Sequence, residues 1–134
     1  MKIKIETIVA APVERVWEAF TSPADIVRWN FASDDWCCPD AKVDLRAGGN
    51  YTARMEAKDG SFGFDFEGVY EEVAPHSAVT LAMSDGRKAR TTFEPSGSST
   101  RVTTEFDAES ENPVEMQRNG WQAILDNFRR HVEG

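Results

Sequence analysis

NPVEMQRNGWQAILDNFRRHVEG, residues 112–134, is the one long helix that the sequence announces. Asn112 caps it, Pro113 fits the first helical position, and Glu115 can reach back to complete a capping box. At ~100° per residue, Val114, Gln117, Trp121, Ile124, Leu125, Phe128 and Val132 fall on one stripe, with Asn119, Asp126, Arg130 and Glu133 opposite. A stripe of that length needs a broad apolar surface to lie on. Two residues depart from the pattern: Gln117 puts an amide among apolar neighbours, and Gly120 costs about 1 kcal/mol relative to Ala inside a helix. Either Gln117 sits at a solvated edge and Gly120 relieves a close contact, or this end of the helix roofs a cavity.

The surface comes from the middle of the chain. AKVDLRA (41–47), GGNYTARMEA (48–57), GFDFEGVYEEVA (63–74), SAVTLAMS (77–84), RKARTTFEP (87–95) and STRVTTEFDA (99–108) read as strands. Asp59-Gly60, Asp85-Gly86 and Ser96-Gly97 join neighbouring runs as hairpin turns, so this is an antiparallel meander. Alternation groups Tyr51, Ala53 and Met55 on one face, and likewise Phe64 with Phe66, Val79 with Leu81 and Met83, Thr91 with Phe93, and Val102 with Thr104 and Phe106. Across Gly68 the apolar residues move from Phe64 and Phe66 to Val69 and Val73, which predicts a bulge or sharp bend there.

Upstream, residues 2–9 alternate Ile3 and Ile5 against Lys2, Lys4 and Glu6 as a strand. PVERVWEAF (12–20) then places Val13, Val16, Trp17 and Phe20 at helical spacing, and ADIVRW (24–29) forms a second short helix with Ile26, Val27 and Trp29 as its apolar side. Residues 30–39, NFASDDWCCP, have no sustained period yet carry Phe31 and Trp36, which either seal the core or border a pocket as a mobile flap. The expected architecture is α+β: a curved antiparallel seven-stranded sheet wrapped around the long C-terminal helix, with two short helices after the first strand closing one end.

A chain of 134 residues is expected to be one domain, 1–134. Its net charge of −8 argues against nucleic acid or an anionic membrane as the main partner. No run approaches the ~18 apolar residues of a spanning helix, and MKIKIETIV lacks a signal-peptide apolar block, so a cytoplasmic location without membrane insertion is expected. Cys37 and Cys38, the only cysteines, are read as two reduced thiols in a loop, since neighbours hold a disulfide only with strain. With only His76 and His131 elsewhere they complete no four-ligand zinc set, and no metal is expected.

Several stretches together carry a family resemblance: APVERVWEAFTSPADIVRW, the ASDDW loop, DLRAGGNY, the Asp59-Gly60 turn, FEGVYEEVAP and NGWQAILDNF. They resemble the bacterial relatives of the C-terminal domain of the heat-shock protein 90 ATPase activator, within the START-like, birch-pollen-allergen-like (SRPBCC) superfamily of helix-grip folds. The resemblance spans essentially the whole chain. It implies a deep cavity between sheet and C-terminal helix, used across the superfamily for lipids, sterols, polyketides and other apolar molecules. It also implies an association with chaperones and the stress response, and in a minority of members cyclase or aromatase activity. Nothing in the chain matches the activator's separate N-terminal domain.

Groups suited to catalysis are few. His76 follows Pro75 in a connection, and His131 lies off the apolar stripe near the helix C-terminus, where a cation favours the dipole. Asp34, Asp35 and Asp40 surround the cysteines and disfavour a thiolate. Gly48-Gly49 precedes a strand and opens no helix, so nucleotide binding has no support; no cofactor is expected. Gln117, Tyr51, Thr91 and Thr104 are the inward polar groups; Arg54 and Asp65 are read as solvated.

The expected site is a cavity for a small apolar molecule, lipid-like, polyketide or aromatic, with no catalytic residue. Trp29, Phe31 and Trp36 are expected at its mouth, Tyr51, Met55, Phe64, Phe66, Met83, Phe93 and Phe106 on the sheet, and Gln117, Trp121 and Leu125 on the helix. Those rings either line the space or fill it. Two other classes stay open: a module that binds a chaperone or another protein, and a cyclase or hydrolase. Oligomeric state is not readable, because an unpaired strand edge can dimerise.

Overall fold

In the computed structural model, which describes residues 1–134, the strand order follows the chain from one sheet edge almost to the other. The elements are β1 (Lys2–Val9), α1 (Val13–Thr21), α2 (Pro23–Trp29), β2 (Trp36–Val43), β3 (Asn50–Ala57), β4 (Gly63–Ala74), β5 (Ala78–Met83), β6 (Lys88–Ser96), β7 (Ser99–Asp107) and α3 (Val114–Glu133). The sheet order is β1-β7-β6-β5-β4-β3-β2, all antiparallel, so β2 to β7 form the meander and β1 returns to pair with β7. Opposite Ile3 stands Phe106, and opposite Ile5 stands Thr104. That register puts the buried β1 residues on the same inner face as Val102, Thr104 and Phe106. The curled half-barrel grips α3, which makes this a helix-grip fold.

One end of the grip is plugged by rings. Phe20 from α1 stacks on Trp29 from α2 at 5.4 Å and meets Phe93 of β6 and Phe128 of α3 edge-on at 5.5 and 5.4 Å. Fully burying each such side chain stabilises by ~1.5–3 kcal/mol, and aromatic pairing adds ~0.5–1.5 kcal/mol per contact. Hydrogen bonds fix the joint: Trp29 Nε1 donates to the Ala19 carbonyl at 2.8 Å, and Asn127 Nδ2 donates to the Trp29 carbonyl at 2.9 Å. Asp25 of α2 ties the three helices, 3.2 Å from Arg15 of α1 and 2.8 Å from His131 of α3.

Four local expectations are corrected. The second strand begins at Trp36 and ends at Val43, so Cys37 and Cys38 lie on a strand and not in a loop, both as free thiols. Its register shifts between Cys37 and Asp40, where Pro39 has no N–H to give to the ladder. Asp44–Gly49 is a loop instead, closed by Gly49 N–H to the Arg46 carbonyl at 2.8 Å; a Cβ on Gly49 would overlap the Asp44 carbonyl oxygen.

The bulge in β4 falls after Tyr70, not at Gly68: Tyr70 pairs with Leu81 and Glu72 with Thr80, leaving Glu71 as the extra residue. The inward phase of Phe66 therefore continues through Gly68 to Tyr70, and Val69 points out and is exposed. Gly68 is required by contact, since a Cβ there would lie 2.8 Å from both the Ala82 carbonyl oxygen and Leu81 Cγ. The third correction concerns the start of α3, which has Pro113 at the N-cap and no side-chain cap bond, so neither Asn112 nor Glu115 closes a capping box. Gln117 instead ties the preceding loop to the helix through the Glu109 backbone and the Asn112 carbonyl. Fourth, Gly120 relieves no close contact, because a Cβ there would meet nothing within 4 Å.

Candidate functional site: a cavity between sheet and C-terminal helix

Because the sheet curls and the aromatic plug occupies only one end, space remains under the first half of α3. It forms a cavity of about 440 Å³, within the ~300–1,000 Å³ of small-molecule sites. Ile5, Met55, Phe66, Tyr70, Val79, Leu81 and Ala89 line the sheet side, and Trp121, Ile124 and Leu125 the helix side. Phe20, Trp29 and Asn30 close the plugged end. Phe64 and Asn112, both exposed, share the lining with half-buried Arg87 and Glu109 and mark the rim.

The polar groups in the lining are mostly engaged with protein. Gln117 Oε1 accepts the Glu109 N–H at 2.9 Å, and its Nε2 donates to the carbonyls of Glu109 and Asn112 at 3.1 and 2.8 Å. The amide that looked out of place on the stripe thus pins the loop before α3. Thr91 and Thr104 hydroxyls share a hydrogen bond of 2.7 Å across β6 and β7. Asn30 Nδ2 donates to Tyr51 Oη at 3.3 Å, and no fully buried side-chain N or O atom is left without a partner.

Burial sets the protonation of these groups. It pushes Tyr51 well above the ordinary phenol range, with smaller contributions from Tyr70 and Cys38, and it raises Tyr70 in the same way. Both phenols are therefore neutral donors at physiological pH. Cys38 is pushed up to about 11, again by burial, and is a protonated thiol, not a nucleophile. His76 is exposed in the turn after β4 with φ 63°, and His131 is held by Asp25; neither lines the cavity. No three His, Cys, Asp or Glu side chains are grouped to hold a metal.

Of the residues expected at the site, Trp29, Tyr51, Met55, Phe64, Phe66, Gln117, Trp121 and Leu125 line the cavity, but Trp29 does so from the plugged end and not at the mouth, because its ring is buried against Phe20 and Phe128. Phe31, Trp36, Met83, Phe93 and Phe106 do not. Phe93 belongs to the aromatic plug, Phe106 is fully buried under Trp121, and Met83 is buried in the core at the end of β5. Trp36 instead meets Phe62 and Phe64 at 5.9 and 6.2 Å in a surface cluster, and Phe31 is half-buried outside the lining. Tyr70 was missed because the phase was read as changing at Gly68. Its even spacing from Phe64 and Phe66 was the available signal. Arg87, beside a turn, gave none.

The model of the family described as Activator of Hsp90 ATPase homolog 1-like protein matches residues 10–133. The chain belongs to this family. Among solved structures, the AHSA1-like protein from Aeromonas hydrophila shares 44% identity over 99% of this chain and 92% of its own, with a TM-score of 0.94. Chr148 from Cytophaga hutchinsonii shares 45% identity over 98% and 92%, at a TM-score of 0.85. CalU16 from Micromonospora echinospora, at 25% identity, covers 98% of this chain and 75% of its own with a TM-score of 0.74. No protein of curated function matches. Like the fold, the AHSA1-like assignment spans nearly the whole chain, and no helix is long and apolar enough to cross a membrane.

Proposed function

We propose that this AHSA1-like protein is a binding module that carries or senses a small, mainly apolar molecule in the cavity under α3. The observation that carries the reading is the character of the lining: 14 of 21 residues are hydrophobic, around a space of about 440 Å³. Burying a ligand there releases water from both surfaces, worth roughly 25 cal/mol per Å² of apolar area before the costs of association. The helix-grip fold and the family support the same reading.

A cyclase or hydrolase draws less support. Such chemistry needs a nucleophile or acid-base group tuned by a partner, whereas the threonines bond to each other and the phenols are neutral. A protein-interaction module has one observation in its favour, the exposed cluster of Trp36, Phe62 and Phe64, in which Phe62 is 61% exposed.

The test is native mass spectrometry on protein purified from its own host, compared with the denatured mass. Extra mass that disappears on denaturation supports the binding module. No extra mass, with no shift in melting temperature across fatty acids, sterols and flavonoids, removes it and turns attention to the aromatic cluster.

A further inference from the structure

We propose that Arg87 is the anchor for an anionic head group, so that the cavity's ligand is an apolar molecule ending in a carboxylate. The inference rests on reading the cavity as a ligand site and names the chemistry of the ligand's polar end. Arg87 and Glu109 are the two charged residues in the lining, both half-buried. Their situations differ. One oxygen of Glu109 accepts the Asn112 N–H at 2.6 Å, and its backbone is clamped by Gln117, so its carboxylate serves the loop before α3.

The guanidinium of Arg87 is held from one side only. Asp85 accepts the Arg87 backbone N–H at 3.1 Å through one oxygen and Nε at 2.7 Å through the other, which fixes the side chain on the β5–β6 turn. Neither Nη has a protein partner, and Arg87 makes no ion pair with Glu109. A fork with two free donors, oriented in advance and bordering an apolar space, matches the two oxygens of a carboxylate. Asp85 neutralises part of the charge but leaves that donor edge open. The apolar body of such a ligand would extend along Leu81 and Ala89 toward Trp121, away from the rim. In a chain of net charge −8, a cation kept beside the cavity selects for acids locally, against the repulsion of the rest of the surface.

Titration calorimetry with decanoate, decan-1-ol and decylamine tests this on the wild type and on Arg87→Met, Arg87→Gln and Arg87→Lys. Wild type should prefer decanoate. Arg87→Met and Arg87→Gln should each weaken decanoate by about tenfold or more while leaving decan-1-ol within about twofold, as expected for loss of a charge-assisted pair. Arg87→Lys should fall between, since a point charge lacks the fork. Retained decan-1-ol binding shows that each variant is folded. Equal losses for acid and alcohol, an acid unaffected by any substitution, or tighter binding of decylamine would overturn the anchor while leaving the cavity a ligand site. Failure of all three probes to bind wild type would overturn the anchor, and together with no extra mass in the native spectrum it would remove the ligand site as well.

Discussion

Trp121 lies flat on Phe106, with ring centroids 3.9 Å apart and planes 9° from parallel. The stack joins the middle of α3 to β7 and sets the height of the cavity roof, because Phe106 is fully buried and Trp121 lines the space. One ring thus carries both packing and site.

Trp121→Ala should lower stability by ~2–3 kcal/mol, below the ~3–5 kcal/mol of a fully packed Trp, because the ring is only half-buried. Urea unfolding reads the loss as a lower midpoint at unchanged slope. Binding of an apolar probe should weaken in parallel. A change under about 0.5 kcal/mol would show that the stack contributes nothing.

Two glycines should respond in opposite directions. Gly120→Ala adds a methyl where nothing lies within 4 Å and should stabilise by ~0.5–1 kcal/mol. Gly68→Ala drives a methyl into Leu81 and the Ala82 carbonyl, and should cost ~1–3 kcal/mol while pushing Leu81 into the cavity. Thermal unfolding of the two variants separates them; a common sign would refute the assignment of either position.

Acid should loosen the helix joint. Burial alone would raise the Asp25 carboxyl, but hydrogen bonds from His131 and Arg15 outweigh it and hold the group below its ordinary value. Its contribution is therefore complete above the unfolded value near ~3.9 and is lost as pH falls through the depressed folded value. Asp25→Asn should be less stable than wild type at neutral pH and should show a shallower loss of stability between pH ~5 and ~2. An unchanged acid limb would mean that other carboxylates govern it.

At high pH the two tyrosines set the limit. Both are raised by burial, so folded protein should show no ordinary phenol titration near pH ~10 by ultraviolet absorbance. The stability that this gives is present below the unfolded value and falls as pH rises above it, so ionisation should coincide with unfolding. A reversible phenolate signal in still-folded protein would contradict the burial of Tyr51 or Tyr70.

Fold and site were not equally legible in the sequence. The α3 stripe, the Asx-Gly turns and the strand alternation are local signals, and they carried the architecture. Depth is not local: Phe106 and Phe93 share the inner face with the cavity residues, yet Trp121 covers one and the plug absorbs the other. The capping prediction at Asn112 failed for a related reason. Gln117, one turn into the helix, reaches back to the Glu109 and Asn112 carbonyls while Glu109 accepts the Asn112 N–H, and only side-chain geometry shows that arrangement.

The pairing of β1 with β7 has a consequence for biosynthesis. Ile3, Ile5 and Val9 have no sheet neighbour until their partners emerge roughly a hundred residues later, several seconds at ordinary ribosomal rates. Until then β1 is an unpaired strand with one apolar face, and α3, which the sheet must grip, follows every strand in the chain. The closure of β1 on β7 joins residues far apart in sequence, the kind of long-range pairing whose loop-closure entropy slows folding.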